Sequence, residues 1–87
     1  MTWQIELTAR ARKELGKVGA RDGRRIIEFL RRLESVDNPR QQGKALKGEL
    51  AEFWRFRVGR YRLICEIEDQ KLLILVVRIG HRSQVYR

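Results

Sequence analysis

Apolar and polar residues alternate through WQIEL, from Trp3 to Leu7, which is the period of a half-buried β-strand. Thr8 then offers a hydroxyl to cap a helix running to about Lys17, with Leu15 and Val18 on its inner face. Gly16 and Gly19 bracket its end. Asp22 is positioned to cap a second helix over 23–35, in which Ile26, Ile27, Phe29, Leu30 and Leu33 follow the 3.6-residue period. The only proline, in VDNPRQQGK, ends that helix, and a loop carrying Lys44 and Lys47 follows. Three strand-like runs complete the chain: Phe53–Val58, Tyr61–Glu68 and Lys71–Ile79. Gly59-Arg60 suits a two-residue turn with glycine first, and Asp69-Gln70 is read as a second. The order β-α-α-β-β-β predicts an α+β fold, with an αα-hairpin packed on one face of a small antiparallel-rich β-sheet.

The length of 87 residues allows one domain, 1–87, with a single core. No apolar run reaches the roughly 18 residues of a membrane span, and the N-terminus lacks the basic-then-apolar pattern of a secretory signal. A cytoplasmic protein with no membrane partner is the expectation. The single cysteine, Cys65, excludes an internal disulfide and any multi-cysteine metal site, and its place between Ile64 and Ile67 reads as a buried thiol. Charge changes the picture more. Twenty lysines and arginines against eleven acidic residues give a formal charge of +9, which points to a polyanionic partner, either nucleic acid or an acidic protein.

Four arginines fall within the twelve residues FWRFRVGRYRLI. With Gly59-Arg60 as the loop, Val58 pairs with Tyr61, Arg57 with Arg62, Phe56 with Leu63, Arg55 with Ile64 and Trp54 with Cys65. Trp54, Phe56, Val58, Leu63, Cys65 and Ile67 then share a face apolar enough to receive the helices. Arg55, Arg57 and Arg62 share the other, where facing like charges cost a few tenths to about 1 kcal/mol. Two readings remain open: a solvated face with Glu66 and Glu68 as counter-ions, or a phosphate site built from guanidinium forks. Continuing the register across Asp69-Gln70 pairs Ile64 with Leu75 and Arg62 with Val77, which gives the basic face an apolar floor of Ile64, Leu73, Leu75 and Val77.

The ending RIGHRSQVYR brings the lone histidine, His81, with Arg82 and Tyr86, beside the hairpin. Phosphate-binding arginines, one group titrating near neutral pH and an aromatic able to stack on a base make a coherent set. Neither paired carboxylates, a metal-ligand cluster, a phosphate-cradling glycine loop nor a Ser/His/Asp set accompanies them. Metal-independent attack on phosphate is the chemistry that remains, without a cofactor.

LKGELAEFWRFRVGRYRLICEI, followed by an apolar strand and RIGHRSQVYR, resembles the RelE branch of the RelE/ParE toxins of toxin–antitoxin pairs. The resemblance implies a ribosome-dependent mRNA endonuclease that cuts A-site mRNA by attack of a 2′-hydroxyl on the adjacent phosphate, and a cognate antitoxin. By the same resemblance Arg55, Arg57, Arg62 and Arg82 hold the phosphate, Tyr86 stacks on or orients the substrate, and Lys47 is the basic position of the loop motif. Some RelE proteins have lysines where this chain has Arg55 and Arg57. Arginine stays protonated, so His81 is the better general base here. Ribosome or RNA docking is assigned to Lys44, Lys47, Arg24, Arg25, Arg31 and Arg32. The rivals are a ParE-like ligand of DNA gyrase without nuclease activity and a non-catalytic RNA-binding module.

Overall fold

The computed structural model describes residues 2–81. Strand β1 (Gln4–Leu7) leads through helices α1 (Ala9–Lys17) and α2 (Ala20–Leu33) to a 3₁₀ turn, Pro39–Gln42, and a two-residue strand β2 (Lys44–Ala45). Strands β3 (Phe53–Val58), β4 (Tyr61–Glu68) and β5 (Leu73–His81) follow. The sheet order is β1-β5-β4-β3-β2, with β1 parallel to β5 and every other pair antiparallel. The α+β arrangement is therefore as expected, two helices on a mixed five-stranded sheet, but the segment read as a loop around Lys44 supplies an edge strand.

Thr8 starts α1 as the sequence indicated: its side-chain oxygen accepts from the Ala11 N–H at 3.1 Å. Its backbone N–H donates to Val76 O at 3.0 Å and its hydroxyl to Val77 O at 3.3 Å, so the cap also continues the β1 edge of β5. Helix α2 begins three residues earlier than predicted. Gly19 is its N-cap and Asp22 lies within the first turn, where a carboxylate favours the helix dipole without capping. Ile26, Leu30 and Leu33 are buried, whereas Ile27, about 100° around the helix, is 41% exposed rather than part of the inner stripe.

Phe56 is the centre of the core, fully buried and 5.7 Å from the ring of Phe29 on α2. Leu63, Cys65, Ile74, Val76 and Ile79 join the same core from β4 and β5. Gly43 brings the chain close to β3, since a Cβ there would lie 2.6 Å from Arg55 O and 2.9 Å from the Phe56 ring.

The β3–β4 register matches every predicted pair, from Trp54 with Cys65 to Val58 with Tyr61. Gly59 takes φ of 59°, the left-handed conformation that a glycine-first turn requires. The β4–β5 register does not match. A 3₁₀ turn over Asp69–Lys71 and a left-handed Leu72 (φ 48°, ψ 48°) make the connection longer than two residues. Glu66 therefore faces Leu75 and Glu68 faces Leu73. The register then shifts between Ile64 and Cys65, so Ile64 pairs with Arg78 and Arg62 with Gly80. Val77 is the extra residue of that bulge. The apolar floor keeps Ile64, Leu73 and Leu75, but the side chain expected beside Arg62 is replaced by a glycine.

Candidate functional site

On the face of the sheet turned away from the helices, two pairs of cations oppose one another across neighbouring strands. Lys44 on β2 faces Arg55 on β3, and Arg57 on β3 faces Arg62 on β4. The residue paired with Arg62 on β5 is Gly80, which presents no side chain there. A cleft of about 290 Å³ lies at the β2 edge, lined by Gln41, Gln42, Gly43, Lys44, Arg55 and Arg57. The Nε of Arg55 is buried and has no hydrogen-bond acceptor among the described residues. A buried donor left in this state costs free energy that an anion in the cleft recovers.

The expected counter-ions are placed elsewhere. Glu66 faces Phe53 and Leu75, and Glu68 is 3.8 Å from Lys71 at the far end of β4. Among the described residues Lys44, Arg55 and Arg57 form no ion pair. The reading of a face neutralised by Glu66 and Glu68 is therefore set aside.

The cleft wall is anchored from outside. Asn38 accepts from the Arg40 N–H at 3.1 Å, starting the 3₁₀ turn at Pro39. The Arg40 guanidinium makes a bidentate bond to Asp69 at 2.8 and 2.7 Å and lies 5.7 Å over the Trp54 ring. The Arg40 hydrogen bonds hold the Asp69 carboxyl below its ordinary range. Gln41, Gln42 and Lys44 are thereby fixed against β3. No sequence signal marks this wall, because two residues of strand carry no period.

His81 lies beside the hairpin, as the sequence indicates, but not on the face that carries its arginines. It pairs with Tyr61, and the two rings meet edge-on at 6.0 Å, on the helix side of the sheet. A second cleft there, also about 290 Å³, is lined by residues that include Glu14, Lys17, Val18 and Tyr61 with His81. Glu14 accepts from the Ile79 N–H at 2.8 Å and from Arg78 Nε at 3.1 Å, closing the edge of β5 beyond β1. The histidine and the three strand arginines are thus on opposite faces, since successive strand residues alternate. Arg82 and Tyr86 lie outside the described residues.

Of the docking residues, only Lys44 joins the cleft. Lys47 is exposed at the cap of the Gly48–Leu50 turn. Arg24, Arg25, Arg31 and Arg32 are exposed on α2, on the helix side of the sheet rather than on the face that carries the cluster. Arg25 lies 3.9 Å from Asp22, and Arg32 lies 6.0 Å over Phe29. Cys65 is buried, and burial pushes its thiol well above the ordinary range, so it is not poised as a nucleophile. No group of three His, Cys, Asp or Glu among the described residues is placed to hold a metal ion. None of the described helices is long and apolar enough to cross a membrane.

A family model described as the ParE toxin of the type II toxin–antitoxin system parDE matches residues 5–86. The chain belongs to the RelE/ParE family of type II toxins. The toxin is 33% identical over 87 residues to toxin RelG of Mycobacterium tuberculosis, an alignment covering 100% of this chain and 99% of that protein. It is 27% identical over 90 residues to the mRNA interferase toxin RelE of Escherichia coli, covering 99% and 92% of the two chains. Among solved structures, the toxin–antitoxin complex RelBE2 of M. tuberculosis contains a chain that superposes with a TM-score of 0.86 at 31% identity. That match covers 94% of the toxin and 100% of the matched chain.

Proposed function

We propose that the toxin is an mRNA interferase whose substrate phosphate sits on the outer face of the sheet, between Lys44, Arg55, Arg57 and Arg62. The observation that carries this reading is the juxtaposition of two like-charged cross-strand pairs, Lys44 with Arg55 and Arg57 with Arg62. Folding alone disfavours such pairs, whereas a bound phosphate turns the repulsion into shared attraction. The similarity to a relative named mRNA interferase toxin RelE supports the same reading.

In this mechanism a 2′-hydroxyl gives up its proton as its oxygen bonds to the adjacent phosphorus, the bond from phosphorus to the 5′-oxygen breaks, and that oxygen takes up a proton. The guanidinium groups donate to the non-bridging oxygens, where charge builds in the transition state. Arg82 and Tyr86 are assigned the phosphate-holding and stacking roles that the family resemblance gives them. Because arginine keeps its proton throughout the physiological pH range, proton transfer belongs to another group. His81 serves only if the substrate wraps around the sheet to the Tyr61 side. A single-turnover pH profile of His81→Ala decides this: an unchanged rate and profile remove His81 from the mechanism.

In the cell the toxin is neutralised by a cognate antitoxin, a reading supported by the toxin–antitoxin complex in which its structural relative is found. The description of the matching family model favours a second reading, a ParE-like ligand of DNA gyrase. Primer extension on translated mRNA after a pulse of expression separates the two. Cleavage within codons, lost in Arg62→Ala, is the expected result; intact mRNA together with inhibited gyrase overturns it.

A further inference from the structure

A second cluster of cations occupies the tip of the β3–β4 hairpin, on the helix side. Arg21 and Arg25 from the first turns of α2, and Arg60 from the hairpin turn, surround a cavity of about 300 Å³ completed by Asp22 and Gly59. The Arg25 guanidinium rests on the turn: a Cβ on Gly59 would lie 3.5 Å from its Nη1. Arg25 is also 3.9 Å from Asp22, a long separation that leaves most of its donors for other partners. Arg21 and Arg60 are exposed and have no ion-pair partner among the described residues.

The lining contains no apolar side chain, unlike the cleft near His81, where Val18, Tyr61 and Ile79 contribute. Protein segments dock through apolar anchors, whereas a phosphodiester needs only convergent donors. Position adds a second argument. Arg57 and Arg62 lie two residues from the turn, about 7 Å along their strands, on the opposite face. Cations therefore run around the hairpin tip from the outer face to α2, as in grooves that track a nucleic-acid backbone.

We propose that Arg21, Arg25 and Arg60 form a phosphate-binding site that takes the backbone of RNA continuing past the hairpin tip from the outer face. This rests on the ribonuclease reading above and extends the RNA-binding surface beyond it.

The test is fluorescence anisotropy of a single-stranded RNA oligonucleotide titrated with the full chain at several salt concentrations. Arg21→Gln/Arg60→Gln is expected to weaken binding about tenfold at low salt and to lower the slope of log K against log salt by about 1 for each phosphate no longer neutralised. Asp22→Asn, which removes the one anion of the cavity, is expected to tighten binding, a change of sign that misfolding does not produce. Arg12→Gln/Lys13→Gln alters two exposed cations on α1 and makes the same charge change elsewhere. An equal loss in that control, or unchanged affinity and slope in Arg21→Gln/Arg60→Gln, overturns the proposal. Failure of the ribonuclease reading appears separately, as intact mRNA with the unsubstituted toxin in the primer-extension experiment.

Discussion

The two faces of the β3–β4 hairpin are made from alternate residues of the same strands, yet they obey opposite rules. Phe56 and Leu63 face each other on the helix side, fully buried within an apolar cluster. One residue further along, Arg57 and Arg62 face each other on the other side, where folding gains little from the pairing. The inner face is what burial selects. The outer face is what stability alone does not select, and its cluster continues through Lys44 and Arg55 onto a cleft. Stability and the proposed activity are therefore carried by interleaved but separable sets of side chains.

The largest break in this comparison is expected from Phe56→Ala. Emptying the centre of the core costs about 3–5 kcal/mol, a large part of the stability of so small a domain, and urea unfolding measures it. A loss below about 1 kcal/mol would mean that the inner face is not the scaffold. Arg57→Ala acts on the other face. Cleavage of translated mRNA should fall about 10²–10³-fold, as when one donor to developing charge is removed. Its unfolding free energy should hold steady or rise by up to about 1 kcal/mol as the repulsion with Arg62 disappears. Parallel loss of activity and stability would show that the arginines are structural.

Thr8→Ala probes the inner scaffold more gently. Losing the cap bond to Ala11 and the bond to Val77 O should cost about 1 kcal/mol by thermal unfolding, with cleavage at the permissive temperature retained. The smallest effect concerns pH and the cleft wall. Arg40 lowers the Asp69 pKa, so their pair contributes stability that is fully present above the ordinary aspartate pKa of about 3.9 and is lost as pH falls from there to the lowered value. Asp69→Asn should flatten that part of the acid limb, only slightly because the pair is solvent-screened. An unchanged acid limb would show that Arg40 is held by Trp54 alone.

The β3–β4 register was legible because a two-residue turn with Gly59 leaves one way to pair the strands, and parity then sorts arginines from core residues. The α1 cap was legible for a similar reason, since Thr8 acts within three residues of itself. Asp22 misled because a carboxylate suits both a cap and a first turn, and Gly19, which leaves no side-chain signal, took the cap. The β4–β5 register was hidden by Leu72. Its left-handed conformation has no local cause in the residue type, and its side chain packs against the core. The bulge at Val77 was hidden as well, and with it the glycine beside Arg62.

The 3.6-residue period of the helical segments and the alternation along the strands, together with a charge of +9, were enough by themselves to determine an αα-hairpin on a sheet and a basic face opposite the helices. Those properties depend on side-chain period and on a tight turn, both local. Tertiary structure alone decided that Lys44 stands opposite Arg55, that Arg21, Arg25 and Arg60 meet at the hairpin tip, and that His81 faces Tyr61 rather than the arginines. Each of these depends on how segments far apart in the chain settle against one another. A single residue of bulge or a two-residue strand changes the neighbours there without leaving a periodic mark.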